Sequence, residues 1–271
     1  LLLPISIPLL IMQNLFKIKA KLKAKLILRA ANNVRVQSAL QSALILKFLE
    51  TFFDSFSSHA IIQVGANGRT LDPIQARFMS HHGPIVLVEP IPYLCTDLRT
   101  QYNNKSNIKI EKCLIGSGLA SSRKLFFIDP EVADEMDGNG PPNKWAHGQG
   151  SFNIESIHYW IEQNKFRGSN YRLNIDKYKS SVLSEEVKQV TLAQIVNDNV
   201  IKNFGLLIVD VQGAELEVVK SLDGSLAWPS IIVCETDGTA SSQESIELDQ
   251  YLNDCSYIKI FSSTDSLWVR I

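Results

Sequence analysis

Two apolar runs constrain this chain most, because each is closed by a residue type that packing alone does not call for. Ala60-Ile61-Ile62-Gln63-Val64 ends at Gly65-Ala66-Asn67-Gly68, and Val86-Leu87-Val88 ends at Glu89-Pro90. The first run predicts a strand that stops at a turn requiring glycine, because a ligand comes too close to the backbone for a side chain. The second predicts a strand whose terminal carboxylate, partly exposed, accepts hydrogen bonds from two ribose hydroxyls. Together they describe the sequence pattern of an α/β nucleotide-type site. The competing reading is a structural strand–turn–helix followed by a surface Glu.

The turn also narrows the ligand. A dinucleotide site calls for G-x-G-x-x-G, because backbone N–H groups must cradle a pyrophosphate. With Gly65 as the first glycine, Asn67 falls at the second position and Thr70 at the third. The glycine that lets phosphate approach is therefore missing. S-adenosylmethionine carries a ribose and no phosphate, and suits this looser turn better.

Composition is that of an ordinary globular protein, at 45% hydrophobic and 20% charged residues. A net charge of −1 gives no case for a nucleic-acid partner. Cys95, Cys113, Cys234 and Cys255 form no C-x-x-C pair and no metal-ligand spacing. A reduced, cytoplasmic compartment is expected. Residues 1–55 are read as a basic, amphipathic helical extension and residues 56–271 as one catalytic domain. Leu1 to Ile11 is apolar but too short to span a bilayer, and it lacks the flanks of a signal peptide.

Lys17, Lys19, Lys21, Lys23, Lys25, Arg29 and Arg35 follow with no acid between them, while Leu15, Ile18, Leu22 and Leu26 recur at helical spacing. Two readings stand. Residues 12–35 make peripheral contact with an anionic membrane surface, or the leucine stripe packs on the domain. The second is slightly favoured, since one such helix is a marginal anchor. A further helix over Val36–Phe53 is expected to pack on the sheet.

From residue 60 onward, β-branched runs alternate with helical patterns. Strands are predicted over Ala60–Val64, Ile85–Glu89, Ile108–Leu114, Lys124–Ile128, Leu206–Val211, Ile231–Glu235, Tyr257–Phe261 and Leu267–Ile271. Helices are predicted over Asp72–Ser80, Tyr93–Tyr102, Ile154–Gln163, Leu192–Val200, Ala214–Ser221 and Ser242–Asn253. Continuous apolar runs such as Leu206-Leu207-Ile208-Val209 suit a parallel sheet covered on both faces. The short polar link around Ser262–Asp265 demands an antiparallel hairpin at the end. Residues 129–150 read as loop throughout. This loop carries Trp145 and His147 and is expected to serve as a lid or substrate loop, or to be a plain insertion.

A second motif, Val209-Asp210-Val211-Gln212-Gly213-Ala214-Glu215, closes a buried strand and opens a helix. Asp210 is thereby placed in the crevice where open α/β sheets bind ligands. Taken with Val64-Gly65-Ala66-Asn67-Gly68, Asp72-Pro73, Glu89-Pro90-Ile91-Pro92, Gly150-Ser151-Phe152, Val190-Thr191-Leu192 and Glu235, this order and spacing resembles the FkbM family of S-adenosylmethionine-dependent methyltransferases. The resemblance spans roughly residues 61–235. It implies a class I methyltransferase (Rossmann-like) fold, a mostly parallel α/β sheet with helices on both faces and a C-terminal antiparallel hairpin. It also implies O-methylation of a hydroxyl on a sugar or other small-molecule or glycan acceptor. Gln63 and Asn67-Gly68-Arg69 stand where many members carry an acid just before or within the turn.

On this reading Gln63, Gly65, Ala66, Asn67 and Gly68 line the methionine end of the cofactor. Glu89 and Pro90 meet the ribose, and Cys113 and Leu114 flank the adenine. Asp210 is the first choice for activating the acceptor hydroxyl and His147 the second. Asp210, Glu215 and Glu235 are weighed as oxygen ligands for a divalent ion, which is not favoured. The alternatives are a non-catalytic fold of this class acting at a membrane surface and, less favoured, a nicotinamide-dependent oxidoreductase. Deleting residues 1–35 is expected to leave cofactor binding unchanged and to abolish binding to anionic vesicles, measured by co-sedimentation at rising salt. An insoluble truncation would instead assign the leucine stripe to the core.

Overall fold

The computed structural model describes residues 34–69, 74–118, 121–137, 146–163, 175–236, 242–262 and 265–271. Helix α1 (Val34–Ser55) leads into strand β1 (Ala60–Val64), and the short helix α2 (Gln75–Phe78) leads into β2 (Ile85–Val88). Helix α3 (Pro92–Gln101) precedes β3 (Ile108–Glu111). An insertion follows, with β4 (Leu114–Ile115), β5 (Ser122–Ile128), α4 (Pro130–Asp137), β6 (Gly150–Ser151), α5 (Ile154–Gln163), α6 (Ile175–Ser180) and β7 (Val182–Val190). The main fold resumes with α7 (Leu192–Asp198), β8 (Phe204–Val209), α8 (Glu215–Lys220), β9 (Ile231–Glu235), α9 (Ser242–Asp254), β10 (Tyr257–Ser262) and β11 (Asp265–Arg270).

The main sheet has seven strands in the order β10-β11-β9-β8-β1-β2-β3. All pairings are parallel except β11 with β9 and β10 with β11. This is the expected class I methyltransferase sheet with its terminal antiparallel hairpin. Successive residues of a strand point to opposite faces, and both faces are covered. Ile61 packs with Phe48, Leu49 and Phe52 of α1, whereas Ile62 packs among Ile195, Val218 and Leu252 from the helices opposite. The helix expected before the first strand is therefore a core element through its second half. The basic stretch expected over residues 12–35 lies outside the described residues up to position 33.

Three expectations are corrected. The strand expected over Ile108–Leu114 breaks after Glu111, and Leu114-Ile115 joins a second sheet of order β4-β7-β5-β6. β7 itself was not expected. Its sequence, VLSEEVKQV, lacks an apolar run because half of it faces water. Residues 130–137 form a helix rather than loop. Asp129 caps it, accepting from the amides of Glu131 (2.9 Å) and Val132 (3.4 Å), and Pro130 sits in the first turn, where its missing N–H costs nothing. Of the rest of that expected loop, positions 138–145, including Trp145, lie outside the described residues.

Chain reversal puts the turns after β1, β2, β8 and β9 along one edge. Val64 pairs with Val88 on one side and Val209 on the other, and Val209 pairs with Cys234. Glu89, Gly65, Asp210 and Glu235 therefore stand in a row, one strand apart, at the carboxyl ends of β2, β1, β8 and β9. Strand order reverses between β1 and β8, which makes this the switch point of the sheet. Gly65 has φ +80°, and a Cβ there would sit 1.7 Å from the Asp210 carbonyl oxygen. The glycine is required by the neighbouring chain. Gly65→Ala is expected to lower unfolding free energy by about 3 kcal/mol or more, read by urea melts. A variant as stable as the wild type would refute this contact.

Candidate active site

Glu89 stands at the β2 end of the row. It was expected to be partly exposed, but it is buried, at 3% exposure. Its Oε2 accepts from the Asn67 amide (3.0 Å) and its Oε1 from the Ile91 amide (2.9 Å). The Cys95 thiol donates to its carbonyl at 2.8 Å. The carboxylate thus ties the β1 turn to the start of α3, which buries it. Burial pushes its pKa up to about 7, against the opposing pull of the two amides and with added repulsion from Asp210.

The β1 turn is closed inward. The amides of Gly65 and Ala66 donate to the Val88 carbonyl at 3.0 and 3.2 Å, Asn67 donates to Glu89, and Arg69 donates to Asn67 Oδ1 at 3.3 Å. Asn67 adopts φ +33°, a conformation its short polar side chain tolerates. Gly68 is packed against Leu98 and the Leu94 carbonyl of α3. Gln63 is buried, and Gln75 donates both to its Oε1 (3.2 Å) and to the Ala66 carbonyl. Gln75 has no sequence signature that would have marked it.

On the β8 side Asp210 is exposed. Gln212, at φ +59°, donates from one nitrogen to Asp210 Oδ1 (3.2 Å) and to Glu235 Oε2 (3.0 Å). Gln212 belongs to the motif, yet sequence reading gave it no role. Glu215 turns inward. Its Oε1 accepts from the amides of Val211 (3.3 Å) and Gly213 (3.1 Å), and burial raises its pKa. It shapes the turn, so the three carboxylates weighed as a ligand set do not converge. Among the described residues no group of three potential ligands lies close enough to hold a metal ion.

His147 is not a solvated loop residue. It is completely buried and forms a clasp between the insertion and the β1 turn. Its Nδ1 lies 3.2 Å from Arg69 Nη1, and its Nε2 lies 3.1 Å from Asp134 Oδ1. A neutral ring protonated at Nε2 satisfies both contacts. Arg69 also pairs with Asp97 through Nε at 2.5 Å, and the Tyr93 hydroxyl donates to the His147 carbonyl at 2.9 Å. Arg69 is what the insertion grips. Cys113 and Leu114 are buried at the junction of the two sheets, with the Cys113 thiol pushed up to about 12 by burial. Pro90 is half-buried beside Glu89.

A family model described as the methyltransferase FkbM domain matches residues 63–259. The chain belongs to the FkbM methyltransferase family. Among curated proteins none matches it. Among solved structures, the FkbM methyltransferase from Methylobacillus flagellatus KT is similar over 95% of this chain and 58% of its own, at 10% identity and a TM-score of 0.42. The fibrillarin pre-rRNA processing protein of Methanococcus jannaschii is similar over 79% of this chain and 66% of its own, at 12% identity and a TM-score of 0.36. The chain spans less than two thirds of either protein. The O-methyltransferase from Bacillus cereus in complex with SAH is similar over 100% of this chain and 94% of its own, at 9% identity and a TM-score of 0.32.

In this FkbM family member the Glu89 carboxyl ionises near pH 7 when folded and near 4.5 when unfolded. Folding therefore favours its protonated form. The benefit is complete below the unfolded value and lost as pH rises through about 7. Relative to Glu89→Gln, the wild type is expected to lose about 3 kcal/mol of stability between about pH 4.5 and 8.5, read by urea melts. A pH-independent difference would mean that Glu89 remains hydrated.

Proposed function

We propose that this protein is an S-adenosylmethionine-dependent methyltransferase acting on a hydroxyl of a sugar or other metabolite. The observation that carries the choice of cofactor is the inward closure of the β1 turn. The amides of Gly65, Ala66 and Asn67 all donate to groups of the protein itself. None of these three is left to cradle a pyrophosphate, which disfavours a nicotinamide dinucleotide. Glu89 fits a ribose. Each of its oxygens takes one backbone amide and can accept one further hydrogen bond from a hydroxyl. Family membership supports the same chemistry.

When bound, the cofactor supplies a methyl group on a positively charged sulfur, which keeps the bonding pair as the methyl leaves. The protein must hold the ribose, align the acceptor oxygen and take its proton. Glu89 holds the ribose hydroxyls in its ionised form, so cofactor affinity rises with pH through about 7. Asp210 takes the acceptor proton. Gln212 holds its Oδ1 and ties it to Glu235, so Oδ2 is the oxygen assigned to the acceptor proton. His147, held by Arg69 and Asp134, acts through Arg69 on the cofactor turn rather than as the base.

A thermal-shift panel of S-adenosylmethionine, S-adenosylhomocysteine and NAD tests the cofactor, since a ligand of the native state raises the midpoint. Only the first two are expected to do so. With an accepted substrate, Asp210→Asn is expected to lower turnover on the order of 10²–10⁴-fold while cofactor affinity stays unchanged. Near-normal turnover in that variant would remove Asp210 from the chemistry.

A further inference from the structure

A groove of about 620 Å³ runs from Gly213, the end of the Asp210 turn, along α8. Its size is that of a small-molecule site. One wall is α8, with Glu217 and Lys220, and Asp223 lies just beyond the end of that helix. The other wall comes from the insertion, which contributes Arg123 of β5 and Phe152 just after β6. Two lobes therefore meet over one volume, beside the turn that carries the proposed base.

The charges in this groove are unevenly satisfied. Glu217 accepts from the Ser117 amide (3.0 Å), and Asp223 accepts from the Tyr251 hydroxyl (2.8 Å). Glu244, also in the lining, lies in the first turn of α9, where the helix dipole favours an acid. The two cations have ring contacts instead, Lys220 lying 5.7 Å from the centroid of the Tyr251 ring. Among the described residues neither Arg123 nor Lys220 forms an ion pair, although carboxylates line the same groove. Arg123 stacks its guanidinium 3.6 Å from the centroid of the Phe152 ring. Although Arg123 is exposed, a guanidinium lying on a ring keeps its N–H edge available to bind a carboxylate or phosphate through paired hydrogen bonds.

Resting on the methyl-transfer reading above, we propose that this groove is the acceptor site and that Arg123 selects an acceptor carrying an anionic oxygen group. The anion pairs with Arg123, and Lys220 adds a second positive charge. The carboxylates of Glu217 and Asp223 accept from the ligand's hydroxyls. The hydroxyl nearest Gly213 is the one presented to Asp210. A carboxylate and a phosphate share this chemistry, and the experiment separates them.

Titration calorimetry on the full chain saturated with S-adenosylhomocysteine compares D-glucuronate, D-glucose 6-phosphate and D-glucose. At least one anionic sugar is expected to bind about tenfold or more tightly than glucose, the worth of a charge-assisted hydrogen bond, and the tighter one identifies the anion. Arg123→Gln is expected to erase the preference without changing S-adenosylhomocysteine affinity. Arg123→Lys, which keeps the charge and loses the fork, is expected to retain part of it. Equal binding of all three sugars, binding of none, or an unaltered preference in Arg123→Gln would overturn the proposal. Weakened S-adenosylhomocysteine binding in Arg123→Gln would overturn it too, by giving the groove to the cofactor. Failure of wild-type protein to bind S-adenosylhomocysteine would instead overturn the methyl-transfer reading itself.

Discussion

A single carboxylate, Glu89, holds together the parts of the chain on which the site depends. Its two oxygens take the amides of Asn67 and Ile91, so the turn after β1 and the entry to α3 are fixed relative to each other. The arrangement is costly in isolation, since burial disfavours the charge and raises its pKa to about 7. A polar group in that state gains from any ligand that brings further donors. The atoms that stitch the two segments together are therefore the same ones proposed to hold the ribose.

The second sheet turns an open edge into a cleft. Leu125, Phe127 and Val187 of the insertion pack on Ile91, the residue before α3, and on Leu94 within it. Arg69 then links the β1 turn to Asp97 of α3 and to His147 and Asp134 of the insertion. The insertion is thereby registered on the main domain by an apolar contact and by a charged clasp. The apolar contact supplies area, and the clasp supplies direction.

Much of this was legible in the sequence. β1, β9 and α5 have the bounds their apolar patterns predict, because each presents a full face or both faces to a core. The terminal hairpin followed from chain length alone, since its link is too short for a crossover. The row of turns at the sheet edge followed from glycine and acid closing apolar runs. β7 was missed because its exposed half dilutes the period, and α4 was missed because Asp129-Pro130 was read as loop chemistry. Those two residues are also a helix start, as cap and first turn, so that signal was present.

The sequence by itself determined the α/β class, the strand ends that carry Gly65, Glu89 and Asp210, and the family. These are encoded in contiguous residues, where strand period and turn chemistry act over a few positions. Only the tertiary structure decided that Glu89 is buried, that His147 grips Arg69, that Glu215 turns inward, and that Gln212 bridges Asp210 and Glu235. Burial and hydrogen-bond partners depend on which distant segments are brought together. His147 and Arg69 lie 78 residues apart, and no local pattern in either predicts the other.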